Sequence, residues 1–412
     1  MPGFDTEVPT LRGVVLTNFF DGSAVAIKPS VVHLIPSMEQ GGAERILASL
    51  VAAGGSQADH TVVTLLSGDP FFPIAREKFF TLGLSQRSLL WPLWRLRHLI
   101  ADLKPSVIHA WLYHGNFASV AAARLGIPII WSIHNTTLSA THSKRMTRAI
   151  NRMCAALSHG VPMRIVYAAQ RARSLHEQFG YAKQHGVVIA NGIDMAPFRF
   201  DAESRHRLRA ELGIKDGELA VGCVARFDPQ KNQELIINAF ARLPAQVAGK
   251  LVLVGRGCTA ANAKLRGWLV RAGVAGRAIL MGERTDVAAV MSALDVLVIG
   301  SSYGEAAPVV ALEAAASGLP LVSTDVGLGM TDGREAVALV LSPSHIVPVE
   351  DPERMAQALL DVRARFSAVG RSELAASRNL LLADFSLERM RAQYDELYRS
   401  VTGGLEHGEC RT

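Results

Sequence analysis

The feature that most constrains this chain is an alternation of short apolar runs with helix-like segments, played twice with a break near residue 200. Val31–Pro36 reads as a buried strand, closed by Ser37-Met38-Glu39-Gln40-Gly41-Gly42 before a helical pattern over Ala43–Ala53. The strand signal recurs at Val62–Leu66, Val107–Trp111, Ile129–Ile133, Ile165–Tyr167 and Val187–Ala190, with helical patterns at Asn116–Arg124 and Ser143–Leu157. The rhythm stops at Asn191-Gly192 and the Pro-containing Met195–Asp201. It resumes after a polar helix (Ala202–Leu212) at Ala220–Ala225, Leu251–Val254, Ile279–Met281, Val296–Ile299 and Leu321–Ser323. Strands that are apolar throughout and separated by helices specify a parallel sheet covered on both faces. Two such series predict an α/β protein of two Rossmann-like domains facing each other across a cleft, with ligands outside the carboxyl ends of the strands. The expected organisation is a leader over 1–30, domains over 31–200 and 201–385, and a C-terminal amphipathic helix over 386–402, with Ser386 as its N-cap.

A mean hydropathy of +0.20 raises the question of a membrane span. The charge-free run Pro105–Ala123 contains His109, His114, Gly115 and Asn116, so it does not read as the roughly 20 apolar residues a span needs. The hydropathy is that of two buried sheets. Asp5, Glu7 and Asp21 punctuate the first 30 residues and no basic stretch precedes an apolar core, so no signal peptide is expected. Cys154, Cys223, Cys258 and Cys410 are scattered without a C-x-x-C pair, which suits reduced cytoplasmic thiols and neither a disulfide framework nor a zinc site. Charge is uneven. Residues 1–200 hold 19 Lys and Arg against 11 Asp and Glu, whereas residues 201–412 hold 24 against 26. A basic first half suits a phosphorylated substrate or an anionic membrane. Nucleic acid is not expected, because no aromatic-interleaved basic stretch or zinc-finger spacing accompanies the charge.

The densest chemistry lies between Asp295 and Asp325. A strand ends at Ile299, a Gly/Ser loop follows, and Pro308 stands at the start of a helix whose first amides, such as that of Val309, point at an anion over the N-terminus. Glu305 sits in the loop and Glu313 inside the helix. Carboxylates there suit the hydroxyls of an attached sugar or ribose better than the anion itself. The neighbours of Glu313 are small and apolar (ALEAAASG), so it is expected to be buried and to need a partner. In VARFDPQKN (224–232), Arg226 leaves the end of a strand and Lys231 follows a turn, and two cations there could neutralise a diphosphate. Gly255-Arg256-Gly257-Cys258-Thr259-Ala260 matches G-x-G-x-x-A, but on an interior strand, with Glu283 as the following acid. A dinucleotide site is therefore not favoured.

In the first half, Gly41 and Gly42 between strand and helix permit close approach of a phosphate or sugar, without the Lys-Ser/Thr of a P-loop. His134 opens a loop at a strand's carboxyl end, and His114 stands near the end of the preceding strand. No histidine shows metal-ligand spacing, so no metal is expected. Lys144, Arg145, Arg148 and Arg152 recur at helical spacing among Met146, Ala149, Ile150 and Met153, and Trp91 and Trp94 accompany Arg95 and Arg97. Such a basic-aromatic surface can rest on anionic lipid, and tryptophans packed in a core are the alternative.

GGAER (41–45), WSIHNTT (131–137), NGID (191–194), VARFDPQKN (224–232) and the E-x7-E from Glu305 to Glu313 together resemble the retaining, nucleotide-sugar-dependent glycosyltransferases of family four. The resemblance covers roughly residues 31–400 and implies the GT-B fold, an acceptor-side first domain, a donor-binding second domain and a final helix crossing back to the first. It implies a hexosyl transfer with retention of configuration, no cofactor or metal, and a nucleotide-diphosphate sugar donor. The acceptor would be a glycan or a lipid-linked one in envelope or exopolysaccharide synthesis. The expected location is the cytoplasm, at the inner face of the membrane where anionic lipid is touched. By the same resemblance Arg226 and Lys231 hold the diphosphate, and Glu313 the ribose. Glu305 and His134 hold the donor sugar, Gly41 and Gly42 lie against the phosphate, and Val309 belongs to the donor-binding set. Many relatives carry a bulky aromatic where this chain has Ala307, and often Asn where it has Val309, so the donor-sugar pocket differs in shape. The alternatives are a GT-B nucleotide-sugar epimerase, a catalytically idle nucleotide-binding member of a synthesis complex, and a nicotinamide oxidoreductase resting on the Gly255 motif.

Overall fold

The structure, a computed structural model, describes residues 28–52, 56–84, 90–141, 143–247, 249–325, 345–369 and 384–403. The expected leader before Lys28, the Trp91 side chain and Cys410 lie outside the described residues. The first series runs β1 (Ser30–Ile35), α1 (Gly42–Val51), β2 (Asp59–Thr64), β3 (Phe79–Thr81), α2 (Leu90–Leu103), β4 (Val107–Trp111) and α3 (Leu112–Ser119). It continues with β5 (Ile129–Ile133), α4 (Arg145–Leu157), β6 (Arg164–Tyr167), α5 (Gln170–Phe179) and β7 (Gly186–Val188). The second runs α6 (Ala202–Glu211), β8 (Leu219–Val224), α7 (Gln233–Ala241), β9 (Gly249–Val254), α8 (Ala263–Arg271), β10 (Ala278–Gly282) and α9 (Val287–Ala293). It closes with β11 (Val296–Ile299), α10 (Val309–Ala316), β12 (Leu321–Thr324), β13 (Ile346–Val347), α11 (Pro352–Val369) and α12 (Leu387–Thr402).

The strands order as β3-β2-β1-β4-β5-β6-β7 in one sheet and β10-β9-β8-β11-β12-β13 in the other, and every pairing is parallel. This is the two-domain α/β architecture the alternation predicts. β4, β5 and β11 are buried along their whole length, which is why they read as unbroken apolar runs. Strand order reverses between β1 and β4 and again between β8 and β11. The loops leaving these strands diverge there and open a crevice at the carboxyl ends.

Two edge strands, β3 and β13, escaped the periodicity because they are only three and two residues long. The helix expected over Asn116–Arg124 begins earlier, at Leu112, and continues over Val120–Leu125 as a 3₁₀ turn. It can follow β4 at once because Gly115 lies against β1, where a Cβ would come within 2.6 Å of the Leu34 carbonyl oxygen. One apolar cluster is continuous across the domains, uniting Val31 and Trp111 with Leu297, Leu312 and Tyr394, and taking in Met195 and Phe198 of the linker.

The chain returns to the first domain along α12, whose N-cap Ser386 accepts from the Arg389 amide. The NGID segment is the joint. Ile193 donates its amide to Phe385 O at 3.0 Å and accepts from Leu387 at 3.1 Å. Gly192 has no room for a Cβ beside the Ser386 carbonyl and Met390. Arg391 then reaches the Ser49 carbonyl at the end of α1 at 3.1 Å. Among the described residues no helix is long and apolar enough to cross a membrane.

Candidate active site in the interdomain cleft

The second-domain wall is built from two loops zipped together. After β8, Asp228 folds its own turn, accepting from the Gln230 amide at 2.9 Å and from Arg226 Nε at 3.3 Å. Asn232, in the left-handed region at φ 46°, caps α7 and donates to Ser302 Oγ at 2.9 Å. The Ser302 amide donates to Gln230 O at 2.9 Å, and Gln230 Nε2 to Tyr303 O at 3.1 Å. The VARFDPQKN turn is thereby fixed against the loop that carries Glu305. The result brings Lys231 Nζ into an ion pair with Glu305, whose Oε1 also accepts from Ser301 Oγ at 2.8 Å. Glu305 is 7% exposed, so this pair sits largely out of water.

The first domain meets this wall directly. Asn135 and Glu305 form an antiparallel bridge, and the Thr136 amide donates to Gly304 O at 3.3 Å. Gly304 takes φ +80°, and a Cβ there would stand 3.1 Å from Thr137 O and 3.0 Å from Gln230 Nε2, so glycine is required for the domains to approach this closely. From the NGID joint, Asn191 Nδ2 donates to Ala307 O at 2.9 Å. His134 therefore enters the cleft one residue from the strand-like contact with Glu305. Its ring stacks on Trp111 at 5.2 Å and 13°, and neither ring nitrogen has a hydrogen-bond partner among the described residues. Burial pushes its pKa down to about 4, leaving a neutral imidazole with one donor and one acceptor.

Glu313 is 2% exposed, as its apolar neighbours require, and its partner is Arg45 of the GGAER segment. Arg45 lies over the Phe198 ring at 5.6 Å, so the linker holds the guanidinium that reaches across the cleft. Burial pushes Glu313 up to about 7, and Arg45 pulls against that rise. A second interdomain pair joins Arg256 to Glu39 at 3.0 Å. Glu44 lies within reach of Arg226, Glu39 and Arg256. Its pKa is raised by burial and lowered, to a smaller extent, by a backbone hydrogen bond and by Arg226.

Arg226, Lys231, Glu305 and Glu313 of the second domain and His134 of the first thus lie along the contact between the two domains. Val309 opens α10 behind the Pro308 N-cap and is 7% exposed. Gly42 is the first residue of α1 and has open space where a Cβ would be, whereas Gly41 has extended backbone and faces the Glu44 carboxylate. Neither glycine depends on a left-handed conformation; at Gly41 a side chain would meet the Glu44 carboxylate, and at Gly42 it would meet nothing. The Gly255 motif has a backbone explanation. Gly255 takes φ +133° against the Ala225 carbonyl, and the Arg256 carbonyl accepts from the Phe227 amide at 2.7 Å. That turn braces the loop carrying Arg226. His114 lies near Lys144, and its pKa is lowered by burial first and by that lysine second. Sequence reasoning missed Arg45, Ser301 and Asn135. The one available signal was that a buried Glu313 demands a cation.

Comparisons with known proteins give the family and the fold. A family model described as Glycosyltransferase Family 4 matches residues 40–196, and one described as Glycosyl transferases group 1 matches residues 218–364. The chain is 28% identical over 226 residues to the lipopolysaccharide core biosynthesis mannosyltransferase LpsB of Rhizobium meliloti, covering 53% of this chain and 63% of the relative. It is 26% identical to the D-inositol 3-phosphate glycosyltransferase of Rhodococcus erythropolis, over 73% of this chain and 68% of that one. Among solved structures, HepE of Anabaena in complex with UDP-glucose superposes with a TM-score of 0.76 at 20% identity, over 90% of this chain and 100% of that chain. At that identity the likeness is one of fold.

Proposed function

The chain belongs to the GT-B glycosyltransferases that join a Family 4 domain to a group 1 domain, and from that premise we propose that it moves a sugar from a nucleotide-diphosphate sugar to a glycan or lipid-linked acceptor with retention of anomeric configuration. Envelope or exopolysaccharide synthesis is the setting, supported by the likeness to a lipopolysaccharide core mannosyltransferase. The observation that carries the reading is the meeting of Lys231, Glu305 and the His134 loop at one point of the cleft. In this reading Arg226 and Lys231 neutralise the departing diphosphate, and Glu305 and neutral His134 accept or donate to the sugar's hydroxyls. Glu313 takes the ribose, and the nucleotide sugar is a substrate with no cofactor beside it. The buried, unpartnered nitrogens of His134 would be satisfied by sugar hydroxyls. A thermal-shift panel of nucleoside diphosphates tests the donor site. The matching base at 100 times its Kd should stabilise the fold by about 2.7 kcal/mol, and absence of any shift across the panel would remove the reading.

The first domain is proposed to meet a phosphate-bearing acceptor or the membrane that holds it. Lys144, Arg145 and Arg152 are exposed along α4 beside Met146 at 60% and Met153 at 40% exposure, and Trp94 of α2 is exposed rather than packed in the core. Cosedimentation with anionic vesicles, abolished by raised salt, is expected. Equal binding to neutral vesicles would leave these cations a solvated surface.

A further inference from the structure

Resting on the reading of His134 as a sugar contact, the structure assigns Asp395 of α12 as a positioning residue for that imidazole, acting through a buried chain of hydrogen bonds that ends at Trp111. The chain has four links. Trp111 Nε1 donates to His33 Nδ1 at 3.1 Å, and His33 Nε2 meets His60 Nδ1 at 2.9 Å. His60 Nε2 meets Ser56 Oγ at 2.7 Å, and Ser56 Oγ donates to Asp395 Oδ1 at 2.7 Å. Trp111 and His33 are fully buried, and His60 and Asp395 are 6% and 5% exposed.

Elementary donor-acceptor accounting fixes the direction of every link. An indole N–H can only donate, so His33 Nδ1 must accept. Burial holds both imidazoles below their usual pKa, so each is neutral and carries one proton. His33 then bears its proton on Nε2 and donates to His60 Nδ1, which places the His60 proton on Nε2, facing Ser56. Ser56 Oγ accepts from His60 and from the Ala58 amide at 3.1 Å, filling both lone pairs. Its hydroxyl proton is left for Asp395, whose other oxygen accepts from the Gln57 amide at 3.0 Å. The protons therefore all point from the cleft toward one carboxylate, on the helix that returns from the second domain.

The consequence reaches the site because His134 has no protein hydrogen bond of its own among the described residues. Its ring stacks on Trp111, and Trp111 is held by its N–H bond to His33 together with the His109 and Tyr394 rings packed against it. Ser56 is the link whose replacement least threatens the fold, since it lies in a partly exposed loop rather than in the core. Ser56→Ala removes the acceptor for His60 Nε2–H and cuts the chain from Asp395. Ser56→Thr keeps the hydroxyl.

The test combines kinetics with long-range 15N–1H NMR of the histidine rings in the full chain. Ser56→Ala should lower kcat about five- to tenfold with the donor KM changed less than twofold. It should also shift the His60, His33 and His134 ring signals, with His33 and His60 both still protonated on Nε2 because Trp111 continues to donate to His33 Nδ1, and Ser56→Thr should restore both kcat and the signals. Unchanged His134 signals in Ser56→Ala, or a fall in kcat without a shift in them, would overturn the assignment. The spectra read the chain independently of turnover. Shifted His134 signals in a protein that transfers no sugar would leave the positioning role standing and remove the proposed function instead.

Discussion

Lys231→Ala is expected to lower kcat/KM for the donor by roughly 100-fold or more, the scale of a lost contact to charge that develops in the transition state. In the proposed reading the departing diphosphate's oxygens would gain negative charge, and Lys231 and Arg226, on the loop after β8, are the cations proposed to face them. The variant should also be less stable, for a separate reason. Glu305 is 7% exposed and, without Lys231, would keep only Ser301 among its side-chain partners described above. Removing one partner of a buried pair costs about 3–5 kcal/mol when burial is complete, and somewhat less here because Lys231 is 19% exposed. Glu305→Gln should lose transfer on a similar scale, since a carboxylate that orients sugar hydroxyls becomes an amide. The double variant Lys231→Ala/Glu305→Gln separates the two effects. Its melting temperature should recover toward wild type while transfer stays lost, as followed by thermal denaturation and steady-state kinetics. Transfer that returned along with stability would make the pair structural.

Arg45→Ala is expected to weaken nucleotide binding by about ten- to hundredfold, in keeping with the loss of one charge-assisted hydrogen bond at about 1.5–3 kcal/mol. It should also change how binding responds to pH. In its proposed role Glu313 would accept two ribose hydroxyls only when ionised, yet burial pushes its pKa up to about 7 even with Arg45 opposing the rise. Wild-type affinity should therefore fall as pH drops through about 7. Without the guanidinium the carboxyl holds its proton to higher pH, so the fall should begin on the alkaline side of that point. Stability runs the other way. The folded pKa lies above the unfolded value near 4.5, so the native state prefers the protonated carboxyl. This group's contribution is fully present below about pH 4.5 and is lost as pH rises through about 7. Titration calorimetry between pH 6 and 9 reads the binding arm, and superposable pH profiles for the two proteins would show that Arg45 does not govern the ionisation of Glu313.

The sheets were legible because a strand buried on both faces cannot hide its apolar run, and β4, β5 and β11 do not. Much of the candidate site was legible for a related reason. Glu313 stands among alanines, and Arg226 and Lys231 follow a strand end, so burial and position could be read locally. What could not be read is pairing across the cleft. Arg45 and Glu313 belong to different domains and meet only because the linker, through Phe198, and Gly304, through its missing Cβ, let the domains close. The Gly255 motif resembles a nucleotide fingerprint, which the sequence reading set aside, because a glycine needed for close backbone approach looks the same whichever partner approaches. The histidine chain was invisible for a similar reason. His33 lies on β1 and His60 on β2, with Trp111 on β4, so no periodicity along the sequence marks them.

The central claim is that this cleft grips a nucleoside diphosphate through Arg226 and Lys231, and calorimetric titration of matched nucleoside diphosphate and monophosphate tests it most directly. Wild-type protein is expected to prefer the diphosphate clearly, and Arg226→Ala/Lys231→Ala to bind both with similar, weak affinity. An undiminished diphosphate preference in that double variant would contradict the account.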